Sequence, residues 1–209
     1  MDQITKEEHW DRAYDGKEIE QLGWYEKDPQ PSLNLIQSLQ LSPYAEILTV
    51  GAGATTLIEY LLEDGFQNIT INDISAVALD RLKDILGKEE CNVEWMKDDL
   101  THPTLLKDLP MLDLWHDRAV LHFFTEVKDQ LTYFNLLKQK VKSKGYVILA
   151  TFAKGGAEKC SNLPIVQYDV NMMQDRLGFD FELIKSLDYT FINPGGGERP
   201  YIYAVFQRK

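Results

Sequence analysis

Cysteine is scarce: only Cys91 and Cys160 occur among 209 residues, far apart in the chain. Two scattered thiols make neither a disulfide framework nor a zinc site. No His-x-x-His or Cys-x-x-Cys pair is present, so no metal is expected. Basic residues are also few, 22 Lys and Arg against 33 Asp and Glu, for a net charge of −11. A phosphate backbone is bound mainly by Lys and Arg, so nucleic acid is not expected as a partner. The longest apolar run, Tyr146 to Ala153, falls far short of the ~20 residues of a membrane span. The stretch Met1 to Glu8 shows no basic start followed by an apolar segment. The expectation is a cytoplasmic protein without membrane attachment. Neither an internal repeat nor a low-complexity segment divides the chain. It reads as a single domain over residues 1–209, with 1–43 an N-terminal lid with helices and 44–209 the core.

Against these absences stands one dense stretch. Ile47-Leu48-Thr49-Val50 is short, apolar and β-branched, as a strand buried on both faces should be. Gly51-Ala52-Gly53 follows, where the strand must turn sharply into a helix. Leu57, Ile58, Leu61 and Leu62 then recur at helical spacing until Gly65. A second apolar strand, from Asn68, ends on Asp73, twenty positions after Gly53. That spacing sets a carboxylate beside the glycine turn, where it can accept both hydrogen bonds of a ribose diol. A dinucleotide fingerprint would place a third glycine at position 56, where this chain has Thr56, and no Gly-Lys-Ser/Thr phosphate loop occurs. A nucleoside without phosphate fits better, and S-adenosylmethionine is one.

Val50-Gly51-Ala52-Gly53 and Asp73-Ile74-Ser75 resemble the first two cofactor motifs of the class I S-adenosylmethionine-dependent methyltransferases, and the resemblance extends from about Trp10 to the C-terminus. It departs at Thr49, where the family often carries an acid. The resemblance implies S-adenosylmethionine as cofactor and S-adenosylhomocysteine as product. It implies cofactor contacts from Gly51, Ala52, Gly53, Asp73, Ile74 and Asp117, and adenine contacts from Asp99 and Leu100. It also implies an N-terminal segment folded over the cofactor, bringing Tyr14 and Trp24 to it. The implied fold is an α/β doubly wound, Rossmann-like, seven-stranded sheet with helices on both faces. It is mostly parallel, in the order 3-2-1-4-5-7-6, with the C-terminal strand antiparallel.

The rest of the chain agrees in outline. Helices are predicted over 5–14, 31–41, 75–86, 125–142 and 169–177, and strands over 92–97, 112–117, 146–152, 181–192 and 201–208. The turn-rich connection 193–200 is too short for a parallel crossover, so the last pair is antiparallel. Residues 153–164 read either as a loop bordering the substrate, since they lie at the carboxyl end of a strand, or as a connector. Cys160 within it has no activating partner in the sequence. Asp117, Arg118 and His122 fall at the carboxyl end of the fourth strand, where ligands bind in such sheets. Asp117 and His122 are the candidates to orient or deprotonate an acceptor, whereas His116 reads as a hydrogen-bonded core histidine. The expected activity is methyl transfer to a small molecule or a protein side chain. Two other readings are a protein that holds S-adenosylmethionine without turnover and a nicotinamide-dependent oxidoreductase. Thr56 and the antiparallel end argue against the second.

Overall fold

The computed structural model describes residues 4–209; the first three residues of the expected lid lie outside the described residues. The chain opens with α1 (Lys6–Tyr14), whose start is fixed by a capping box between Thr5 and Glu8. After an irregular stretch come α2 (Gln30–Ser38), β1 (Glu46–Val50), α3 (Leu57–Glu63), β2 (Asn68–Asp73), α4 (Ala76–Leu86) and β3 (Val93–Lys97). Ser75 caps α4 by accepting from the Ala78 N–H. The second half holds β4 (Leu112–Arg118), α5 (Val127–Lys140), β5 (Val141–Phe152), the short hairpin β6 (Lys159–Cys160) and β7 (Leu163–Pro164), α6 (Val170–Leu177), β8 (Phe181–Ile192) and β9 (Glu198–Arg208).

Seven strands form one sheet in the order β3-β2-β1-β4-β5-β9-β8. The pairs from β3 to β5 are parallel. Only β9 runs against its neighbours, so the sheet has the expected order and the expected antiparallel strand. Both faces are covered, as a parallel sheet requires. One face carries Ile47, Leu114, Ile148 and Tyr203 beneath α2, α3 and α4. The other carries Leu48, Trp115, Val147 and Phe206 beneath α5 and α6.

Several boundaries depart from the periodicity. β5 begins at Val141, not 146, because a kink at Lys144 (φ +66°) and a register shift against β4 interrupt a strand already under way. In the sequence that kink reads as the turn before the strand. α2 stops at Ser38, short of 41, and Gln40 adopts a left-handed φ of +51°. The connector 153–164 holds the hairpin β6–β7, turned through Ser161 and Asn162 with φ of +48° and +63°. Two left-handed residues make a primed hairpin turn, and Ser-Asn is a weak signal for it.

The turn after β1 is packed without slack. A Cβ on Gly51 (φ +52°) would lie 2.0 Å from Val120 Cγ2, and one on Gly53 (φ +56°) would lie 2.1 Å from the Tyr14 hydroxyl. Gly51→Ala therefore combines backbone strain with a clash. It should lower unfolding free energy by about 1–3 kcal/mol in denaturant melts.

Candidate cofactor cavity

A cavity of about 170 Å³ opens where β1, β2 and β4 end. Crevices outside the carboxyl ends of parallel strands are where such sheets bind ligands. Its floor is the turn Gly51-Ala52. Asp73, Ile74, Asp99 and Leu100 line one end, and Thr49, His116 and Arg118 line the other. Trp10, Tyr14, Trp24 and Tyr25 line it from the N-terminal segment, and Cys160 and Leu163 from the β6–β7 hairpin.

Asp73 is 6% exposed. Its Oδ2 accepts from the Gly53 N–H at 2.8 Å and its Oδ1 from the Ser75 N–H at 2.9 Å. The carboxylate thus ties the glycine turn to the start of α4, with lone pairs still open to a ligand. Burial raises its pKa to about 6, against the lowering effect of the N–H groups of Ser75, Gly53 and Ile74.

The two neighbouring acids after β3 divide their work. Asp98 accepts from Thr104 N–H, Thr104 Oγ1 and Leu106 N–H at 2.8–2.9 Å, so it shapes its own loop. Asp99 is half-buried. Burial pushes its carboxyl up, but bonds from Thr101 and His102 outweigh that and hold it below the usual range. Asn72 donates to the Met96 and Asp98 carbonyls, fixing the path between β2 and this end of the cavity.

The opposite end is set by strand alternation. Thr49 pairs with His116 in register, and Arg118 lies two residues further on the same face. His116 donates to or accepts from Ser32 Oγ at 2.9 Å, and burial lowers its pKa to about 3, so it is neutral. It is the hydrogen-bonded core histidine that the sequence suggests, with one edge on the cavity. Arg118 forms a 2.7 Å ion pair with Glu26, and the two side chains are mostly covered, 13% and 8% exposed. Arg118 also bonds the Trp24 carbonyl and the Tyr203 hydroxyl, and its guanidinium lies 5.1 Å from the Phe191 ring centroid.

The N-terminal segment crosses these strand ends as a strap. Trp24 Nε1 donates to the Tyr14 hydroxyl at 2.9 Å. Trp10 makes edge contacts with Trp24 and Phe123. Asp11 accepts from Ser75 Oγ at 2.6 Å, and Lys6 reaches Thr101 and Asp129. From the hairpin side, Ser161 meets His9 at 3.3 Å. Burial raises the Cys160 thiol to about 11, so it stays protonated.

Of the residues named from sequence, Tyr14, Trp24, Gly51, Ala52, Asp73, Ile74, Asp99 and Leu100 meet around this cavity. Three do not. Gly53 is buried behind it, against Tyr14. Asp117 is fully buried on the other face of the sheet, where it accepts from Tyr133 Oη at 2.6 Å and from the Val120 and Leu121 N–H groups. β4 alternates sides, and Asp117 falls between the two cavity-facing residues His116 and Arg118. His122 is fully buried between Phe123 and Phe152, and burial lowers its pKa to about 3. Asp117 and His122, the residues expected at the acceptor, therefore do not line the cavity. The reading from sequence left Glu26 out of the site, and it set Arg118 at the strand end without giving it a role. Counting every second residue along β4 from Leu114 puts Arg118 on the cavity side.

Comparison with protein-family models gives no match, and neither does comparison with curated protein sequences. Solved structures do match. A methyltransferase dependent on S-adenosylmethionine from Anabaena variabilis superposes with a TM-score of 0.76 at 13% identity, over 99% of this chain and 96% of that one. The N-methyltransferase NodS from Bradyrhizobium japonicum, in complex with S-adenosylhomocysteine, gives 0.71 at 12% identity, over 97% of each. A protein from work on conversion of a disulfide bond into a thioacetal group during echinomycin biosynthesis gives 0.77 at 15%, over 97% of this chain and 93% of that one.

Asp117→Ala should leave the Tyr133 hydroxyl and two backbone N–H groups without their acceptor. A loss of about 2–4 kcal/mol in unfolding free energy is expected, whereas a role confined to the acceptor would lower turnover and spare stability. The chain has the seven-stranded fold of the S-adenosylmethionine-dependent methyltransferases, with an aromatic strap over the ends of its central strands.

Proposed function

We propose that this chain is an S-adenosylmethionine-dependent methyltransferase whose 209 residues act as one domain. The observation that carries the reading is Asp73: a buried carboxylate at the end of β2, bonded to the glycine turn and lining the cavity. Asp73 would hold the ribose diol, with Asp99 and Leu100 beside the adenine and the Gly51-Ala52 backbone close against the nucleoside. The residues fit that group, because Gly51 and Ala52 of the turn line the cavity and the acids Asp73 and Asp99 lie at one end of it. Bound there, S-adenosylmethionine supplies a methyl group on a sulfonium. The protein's part is to position and to exclude water, and the strap of Trp10, Tyr14 and Trp24 serves both. A cavity roofed by aromatic rings suits a small-molecule acceptor better than a protein side chain. Among the described residues no helix is long and apolar enough to cross a membrane.

Asp73→Ala should weaken S-adenosylhomocysteine binding roughly ten- to hundredfold, the equivalent of about 1–3 kcal/mol for unpaired buried hydroxyls. Calorimetry on the folded variant that gave unchanged affinity would remove Asp73 from the site. Formation of S-adenosylhomocysteine from labelled cofactor in a screen of small metabolites tests the activity itself, and binding without product with every acceptor would favour a non-catalytic holder.

The pH dependence follows from the same carboxyl. A diol donates to a carboxylate, so binding favours ionised Asp73. With its free-protein pKa raised to about 6, affinity is full above that pH and falls as the pH drops through it. The limiting slope is about tenfold per unit. Affinity that stayed flat from about pH 7 to about pH 5 would contradict this.

A further inference from the structure

The end of the cavity away from Asp73 carries polar groups whose hydrogen bonds are incomplete. Arg118 and Glu26 are joined through Arg118 Nε and Glu26 Oε2. Their outer atoms, Arg118 Nη2 and Glu26 Oε1, are both buried and without a partner. The Thr49 hydroxyl and His116 Nδ1, on the same face of the sheet, are also buried and unpartnered. All four residues line the cavity. Buried polar atoms without partners are uncommon and costly, so a cluster of them on residues that line one cavity calls for a ligand. Its two charged members specify the chemistry: one guanidinium N–H awaits an anion, and one carboxylate oxygen beside it awaits a cation.

We propose that the Glu26–Arg118 pair is a zwitterion clamp for the amino-acid half of the cofactor, with Arg118 Nη2 donating to the α-carboxylate and Glu26 Oε1 accepting from the α-ammonium. The proposal rests on the methyltransferase reading. The two ends of the cavity then match the two ends of the molecule. The carboxylates of Asp73 and Asp99 line the end where hydroxyls and an amine must be held, with Lys6 beside Asp99, and a paired cation and anion line the end where opposite charges lie on one carbon. A guanidinium is suited to the task because it keeps donors free while bonded elsewhere. Arg118 is held rigid by Tyr203, the Trp24 carbonyl and the ring of Phe191. Glu26 belongs to the strap, so the clamp would complete itself only when the strap is closed.

Calorimetry with two probes tests this: S-adenosylhomocysteine, which has the amino-acid group, and methylthioadenosine, which has the same nucleoside and thioether without it. In Glu26→Gln and Arg118→Lys, S-adenosylhomocysteine should bind at least tenfold more weakly than to the unaltered protein. Methylthioadenosine should bind within about twofold of the unaltered value, which also reports that the nucleoside end is intact. Glu26→Gln, in an irregular stretch, serves if Arg118→Lys does not fold. Equal weakening of both probes would mean that the pair only latches the strap, and no weakening of either would mean that it touches no ligand; each overturns the clamp and leaves the methyltransferase reading standing. Failure of the unaltered protein to bind either probe would overturn that reading and the clamp with it. Binding of methylthioadenosine as tight as that of S-adenosylhomocysteine to the unaltered protein would overturn the clamp alone.

Discussion

The absence of side chains at the turn after β1 is the constraint on which the site depends. Gly51 and Gly53 both take left-handed backbone, and the space a Cβ would occupy is already filled from both directions. Val120, from the loop after β4, fills one side, and the hydroxyl of Tyr14, from the strap, fills the other. The Gly53 N–H then points to Asp73. One tight turn therefore joins the ends of β1, β2 and β4 and the N-terminal segment. A glycine here does more than relax the backbone: it lets two distant parts of the chain close on the turn. Tyr14 can seal the site only because Gly53 has nothing to push it away.

The second organising fact is the alternation of β4. His116 and Arg118 face the cavity side, and Trp115 and Asp117 face α5. Asp117 is occupied there in a chain of hydrogen bonds from Trp115 Nε1 to Tyr133 Oη to Asp117 Oδ2. Burial raises the pKa of Asp117 to about 6 against the lowering effect of Tyr133 and the Val120 and Leu121 N–H groups. Such a group fixes the loop after β4, and with it Val120, against the glycine turn. Asp117 thus supports the cavity from behind the sheet without lining it.

The fold was legible because parallel strands buried on both faces carry unmistakable apolar runs, and because the glycine turn and Asp73 keep a spacing that few other arrangements require. The strand order came from the resemblance, and the pairing of β5 with β9 and of β9 with β8 agrees with it. Asp73, Ile74, Asp99 and Leu100 were legible as neighbours for the same reason: they lie at or just after adjoining strand ends and line one cavity. The opposite end of the cavity was not. Glu26 comes to Arg118 across 92 residues of sequence through a strap with no periodicity of its own. The aromatic rings beside Arg118 come from β8 and β9, at the far end of the chain. No local pattern records a contact made by three remote segments. Asp117 and His122 lie off the cavity although they are near a strand end, because proximity to a strand end says nothing about which face a residue takes.

The strap is held by two unlike kinds of contact, and their magnitudes decide how it opens. Glu7–Lys97 is half-exposed at both ends, and Lys6–Asp129 is half-exposed at its lysine. Surface pairs of this sort contribute about 0–1 kcal/mol each and weaken with salt. Edge-to-face aromatic contacts add about 0.5–1.5 kcal/mol each beyond the area they bury. Trp10 makes such contacts with both Trp24 and Phe123, and Tyr14 with Trp24. The aromatic cluster outweighs the surface pairs, so salt should loosen the ends of the strap before its centre. Leaving the site also requires separating Glu26 from Arg118, and a buried charge parted from its partner is costly. A ligand that offers its own charges to both groups as they part lowers that cost. Under the proposed clamp, ligand passage and movement of the strap are a single event, and the irregular stretch between α1 and α2 that carries Trp24 and Glu26 is where the chain must bend.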